Sequence, residues 1–131
     1  MVGLAISYIF SMKGKDVILI EKEKKYGTGV SSRNSEVIHA GVYYSKGSLK
    51  SKLCLRGKEL LYEYCEKYSV NHNRIGKLFV AISDNHISRL EKINANAIDN
   101  GLEDLIELDS RQLKKVEPSL KAKSALFSPS S

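Results

Sequence analysis

Asp16-Val17-Ile18-Leu19-Ile20-Glu21 constrains the fold more than any other stretch. Four large aliphatic residues follow one another, and three of them are β-branched. No polar residue alternates with them, so an extended strand here is apolar on both faces. That is the pattern of a strand buried within a parallel sheet. Gly3 to Met12 precedes it and reads as a buried helix carrying Leu4, Ile6, Ile9 and Phe10. Lys13-Gly14-Lys15 ends that helix, with Gly14 at a C-cap position.

Helix, tight turn and buried strand ending in an acid match the second half of a dinucleotide-binding βαβ unit. Gly3 fits the third glycine of G-x-G-x-x-G, the one that lets the helix approach the strand. Glu21, eighteen positions on, fits the acid that bonds ribose hydroxyls. The first strand and the first two glycines are then expected upstream of Met1. An ordinary αβ unit ending in a surface glutamate accounts for the same residues equally well.

With 131 residues the chain is long enough for one core. Hydrophobic residues at 42% and charged residues at 27% exclude a disordered chain. The formal charge of +6 comes from lysines spread along the sequence, without the compact basic block of a nucleic-acid binder. No apolar run is long enough to span a membrane. Met1 to Phe10 lacks the basic start and the cleavage site of a signal peptide. A cytoplasmic place is expected, with membrane association or the mitochondrial matrix as other options. Cys54 and Cys65 are eleven positions apart in one expected helix, roughly 16 Å and too far to bridge. They read as free thiols, and no metal-ligand set accompanies them.

Ser31-Ser32-Arg33-Asn34-Ser35-Glu36-Val37-Ile38-His39-Ala40-Gly41-Val42-Tyr43-Tyr44 begins polar and ends apolar. Hydroxyls, an amide and a guanidinium suit an anionic ligand. Gly41 allows backbone to approach a flat ring. Ser32 or Asn34 can equally cap a helix, and His39 can equally be a core histidine bonded to backbone. Tyr43 and Tyr44 point to opposite faces if the run is extended. Ser48 to Tyr68 is helical, with Leu49, Leu53, Leu60 or Leu61, Tyr64 and Tyr68 as its core face. Lys77 to Ile82 is a strand and His86 to Asn100 a helix with Ile87, Leu90, Ile93, Ala97 and Ile98 inward. Gly101 caps that helix. Leu105 to Leu108 is a short strand, Asp109 or Ser110 caps a helix through Val116, and Ala125-Leu126-Phe127 starts another strand.

Read together, the Gly3–Glu21 unit, the SSRNSEVIHAGVYY run and the shorter pieces GKLFVA, VEPSL and ALFSPSS resemble a known family. It is the FAD-dependent oxidoreductases of the D-amino-acid oxidase and glycerol-3-phosphate dehydrogenase superfamily, nearest to the L-2-hydroxyglutarate dehydrogenase branch. The resemblance implies an α/β fold, α+β overall. A partial Rossmann-like FAD-binding region is expected over 1–74 and the start of a substrate-binding domain over 75–131. It implies FAD contacts from Gly3, Glu21, Lys22, Ser31, Ser32, Arg33 and Gly41. His39 is the implied catalytic candidate, and Tyr43 and Tyr44 the substrate contacts. A small hydroxy acid is the implied substrate, with L-2-hydroxyglutarate going to 2-oxoglutarate. Glycerol 3-phosphate and amino acids are other options within the superfamily. A small non-catalytic α/β interaction module is the reading outside it. No nucleic-acid partner is expected, the electron acceptor is not specified by these residues, and an open strand edge invites self-association.

With the diphosphate-binding glycines expected outside these residues, the 131-residue chain alone should neither hold FAD tightly nor turn over. Absorbance of the purified chain near 450 nm checks this, and a yellow, flavin-loaded preparation contradicts it.

Overall fold

The computed structural model describes every residue from Met1 to Ser131. The chain divides into two compact units, Met1–Glu36 and Val37–Ser131. No helix in either is long and apolar enough to cross a membrane.

The first unit holds helix α1 (Val2–Met12) and one 3-10 turn, Val30–Ser32. Gly14, at φ 67°, ends α1. The Gly14 N–H donates to Ser11 O at 2.9 Å, and the Lys15 N–H reaches Phe10 O at 3.1 Å. This paired closure is the Schellman arrangement, and it needs a left-handed residue where glycine stands. The helix is not buried, contrary to the sequence expectation: none of its residues is fully covered.

Residues 16–21 are not a sheet strand, which corrects the reading of that segment. Its side chains still alternate, with Val17 and Leu19 at 40% and 49% exposure and Ile18 and Ile20 at 89% and 87%. Leu19 lies against α1, where a Cβ on Gly3 would stand 3.5 Å from Leu19 Cδ1. The expected close approach of helix and aliphatic segment is therefore present. A strand needs a neighbour to pair with, and this unit's other elements are a helix and a 3-10 turn.

The second unit carries α2 (Leu49–Lys67), β1 (Lys77–Ala81), α3 (Asp84–Asp99), β2 (Ile106–Asp109), α4 (Ser110–Val116) and β3 (Ser124–Ser128). The sheet order is β1-β3-β2, antiparallel at both junctions. Lys77 pairs with Ser128 and Ala81 with Ser124 along β1 and β3; Ile106 pairs with Phe127 along β2 and β3. The last-formed strand in sequence is thus the central one.

Period-2 alternation splits the side chains between two layers. Ala81 and Leu126 pack with Leu90 of α3, joined by Phe79, Ile87 and Ile93. On the other face Leu108 and Ala125 pack with Leu113 of α4, joined by Leu78, Val80 and Phe127. Asp109 starts α4 with a capping box: its carboxylate accepts from Arg111 and Gln112 N–H at 2.8 and 2.7 Å, and the Gln112 side chain accepts the Asp109 N–H. Ser48 caps α2, accepting from the Ser51 N–H at 3.1 Å.

Two buried faces differ from the sequence reading. Helix α2 covers Ser51, Tyr62 and Cys65, whereas Leu49, Leu53, Leu60, Leu61, Tyr64 and Tyr68 remain exposed. Helical periodicity finds a stripe but cannot say which stripe meets a neighbour. Here the small Ser51 fits where the chain at Gly41 crosses. Ile98 of α3 is also exposed rather than inward. Helix α2, assigned by sequence to the cofactor-binding region, groups with the sheet.

Gly76 precedes β1 at φ 75°, and a Cβ there would strike the Phe127 ring. Gly76→Ala should cost about 2–5 kcal/mol, summing left-handed strain and displacement of a packed ring. Gly47→Ala, at a similar φ but with nothing within 4 Å, should cost only about 1–2 kcal/mol. Urea unfolding midpoints measure both, and equal losses would show that the Phe127 contact carries no weight.

Candidate functional site

The turn from His39 to Tyr44 lies within the second unit. Ala40 and Val42 are buried with Ala97 of α3 and Leu102, with Leu55, Phe79, Ile93 and Leu105 around them. Gly41 between them adopts φ 84°. A Cβ there would lie 3.6 Å from Cys54 Cβ and 3.7 Å from Leu55 Cγ, so Gly41 faces α2. The turn closes with the Tyr44 N–H donating to Gly41 O at 3.4 Å.

Asn96 of α3 and Asn100, the residue that caps its C-terminus, hold this turn. Asn96 Nδ2 donates to Val42 O at 3.2 Å and to Tyr44 O at 2.9 Å. Asn100 Nδ2 donates to Tyr44 O at 2.8 Å. Carbonyls that leave a regular ladder are thereby satisfied by side chains, as buried backbone requires. Lys46 also pairs with Asp99 at 3.0 Å, but both groups are exposed and contribute little.

Anchored by its buried residues, the turn presents an aromatic and basic wall. Tyr43 and Tyr44 do not point to opposite faces as an extended run would require. The chain turns between Gly41 and Tyr44, and the two rings meet edge to face with centroids 5.2 Å apart. Phe79 of β1 continues the wall, 6.2 Å from Tyr43. The Lys77 ammonium stands 5.7 Å from the Tyr43 centroid and 5.3 Å from that of Phe79, and Lys50 lies 4.6 Å over Tyr44. His39 lines the same shallow cleft, of only about 10 Å³, with its ring exposed. It is not a core histidine, and no protein group holds either of its nitrogens. An imidazole so placed can accept or deliver a proton at a ligand. Partial burial, and then the Cys54 thiol and Tyr43 phenol beside it, raise the Tyr44 phenol above its ordinary value of 10.0.

The remaining sequence candidates fall in the first unit. Ser31 Oγ lies 3.5 Å from the Met1 amino group, at the start of α1. That helix start has no side-chain cap, so its first-turn N–H groups are free to donate. Arg33 is exposed and makes no ion pair, and Glu21 is exposed with its carboxylate accepting the Glu23 N–H at 3.0 Å. Lys22 is a surface residue 3.9 Å from Glu23. Ser32 donates to Gly29 O at 3.1 Å, and Asn34 donates to Val30 O and Ser31 O. Neither caps a helix, which sets aside the capping alternative. The free amides, the Ser31 hydroxyl and Arg33 suit a diphosphate, and Glu21 suits ribose hydroxyls, so the residues fit FAD.

A roomier depression lies elsewhere. It is a groove of about 380 Å³ between α3, β2, α4 and β3, bordered by Glu91, Glu107 and Asp109. Sequence reasoning did not single out Lys77, Phe79, Asn96 or Asn100. The asparagines stand four apart on one helix, and that i, i+4 polar pair beside an apolar stripe was the available signal.

The family model described as "FAD dependent oxidoreductase" matches residues 1–131. A protein of Arabidopsis thaliana named "L-2-hydroxyglutarate dehydrogenase, mitochondrial" is 42% identical over 99% of this chain and 27% of its own length. Proteins of the same name from Caenorhabditis elegans and Mus musculus are 43% and 37% identical, over 86% and 98% of this chain and 26% and 28% of theirs. The chain thus spans about a quarter of the length of the curated relatives it matches.

Replacing Asn96 with Leu should cost about 1–3 kcal/mol, because two turn carbonyls lose a donor. It should also lower the Tyr44 pKa toward its ordinary value. In the unaltered chain a raised folded pKa means that the unfolded phenol ionises first, so stability falls as pH rises past 10. In Asn96→Leu this decline should flatten. Ultraviolet phenolate titration reads the shift, and an unchanged Tyr44 curve would show that the turn holds without Asn96.

Proposed function

The chain belongs to the FAD-dependent oxidoreductase family, and from that premise we propose that it serves the oxidation of L-2-hydroxyglutarate to 2-oxoglutarate. The names of the relatives support this substrate, and the exposed His39 in a cleft walled by Tyr43, Tyr44 and Phe79 carries the reading. In this proposal residues 1–74 serve the cofactor and residues 75–131 begin the substrate side.

Bound FAD would supply the two-electron acceptor for the hydride leaving the hydroxyl-bearing carbon. The chain's own residues bind, orient and move a proton. Gly3 lets α1 approach the aliphatic segment that ends at Glu21. Glu21 would accept from the ribose hydroxyls with Lys22 beside the adenine, and Ser31, Ser32 and Arg33 would hold the diphosphate. Gly41 shapes the turn. His39 takes the proton of the substrate hydroxyl as the carbonyl forms, and Tyr43 and Tyr44 position the carbon chain. Exposed Ile18 and Ile20 offer an apolar surface for self-association. Mitochondrial placement is proposed on the names of the relatives alone.

The test is substrate-dependent dye reduction by protein expressed from the complete reading frame that encodes these residues. L-2-hydroxyglutarate should reduce the dye, while its D isomer and glycerol 3-phosphate should not. His39→Gln should lower kcat by roughly 10²–10⁴, the usual contribution of a positioned base, with flavin content unchanged. Preference for glycerol 3-phosphate overturns the substrate, and a kcat loss below about tenfold overturns the role of His39.

A further inference from the structure

Among the lysines only Lys58 and Lys77 are not fully exposed. The Lys58 ammonium has a partner, Ser130 Oγ at 2.8 Å. Lys77 has none: its ammonium lies over the Tyr43 and Phe79 rings, without a hydrogen-bond acceptor or a carboxylate at ion-pair distance. Ring faces attract a cation but do not accept its N–H bonds, so the Lys77 stem is partly covered while the ammonium keeps its donors open to water or to a ligand.

The backbone fixes where that charge sits. Lys77 opens β1, paired with Ser128, directly after a glycine held under the Phe127 ring. Its cleft also contains His39, Tyr43, Tyr44 and the C-terminal residue Ser131, and no aspartate or glutamate side chain lines it. Lys50, over the neighbouring Tyr44 ring, adds positive charge at the rim. The large groove, by contrast, is bordered by three carboxylates.

The geometry points to Lys77 as an anion subsite that takes a carboxylate of the substrate, with the Tyr43 and Phe79 rings flanking its carbon chain. This assignment rests on the functional reading above and deepens it. A charge-assisted hydrogen bond in a half-buried cleft gives both affinity and selection for carboxylic acids over neutral alcohols.

In the flavin-loaded holoenzyme, Lys77→Met should raise KM for the dicarboxylate substrate by roughly ten- to a hundredfold. Inhibition by glutarate should weaken by the same factor, with kcat within about threefold and the flavin spectrum unchanged. Lys77→Arg should recover most of the loss, which separates a charge role from a folding role. A Lys77→Met enzyme that keeps its flavin and whose KM and glutarate inhibition stay within about twofold of wild type overturns the subsite. Glutarate binding followed by NMR at the Lys77 Cε methylene needs neither flavin nor turnover. A shift there that Lys77→Met abolishes supports the subsite even if turnover fails. No shift at saturating glutarate overturns the subsite alone and leaves the flavoenzyme reading standing.

Discussion

Two side-chain amides, one on α3 and one at its C-cap, hold the turn on which the candidate site depends. Without Asn96 and Asn100, the carbonyls of Val42 and Tyr44 would face a helix that offers no donor. The turn's apolar residues, Ala40 and Val42, are buried among Ala97, Leu102 and Leu55. The same few residues thus combine a dry anchor with a polar latch. His39 and the two tyrosines hang from that anchor. A shift of α3 would move all three together.

The sheet supplies the other wall. Phe79 sends its ring to the α3 face because alternation along β1 puts it there with Ala81. Lys77 shares that parity and so reaches the same cleft. Register therefore has chemical consequences: a slip by one residue would send Lys77 and Phe79 to the α4 face and leave the tyrosines without a neighbour. Gly76 under Phe127 and the pairing of Lys77 with Ser128 oppose such a slip.

Much of the second unit was legible in the residues. Asp109 was one of two expected caps of α4, Gly101 and Ser48 stood at helix ends, and Lys77-Leu78-Phe79-Val80-Ala81 carried strand preference. What stayed hidden depends on neighbours. The exposed leucines of α2 form a stripe as regular as a core stripe, and only the crossing at Gly41 decides that Ser51 is covered instead. Val17 to Ile20 has the composition of a buried strand, yet it pairs with no strand, and Ile18 and Ile20 are exposed because no layer packs over their face. In the candidate site, the residue types in His39–Tyr44 suggest the chemistry proposed for it, but the turn that brings Tyr43 onto Tyr44 and Lys77 beside His39 is a tertiary feature.

Hydrogen exchange in the flavin-loaded enzyme, with and without bound glutarate, tests the placement of the site most directly. The account predicts added protection at residues 39–44 and 77–79, and none along the groove bordered by Glu91, Glu107 and Asp109. Protection confined to that groove, with the 39–44 turn unchanged, would contradict it.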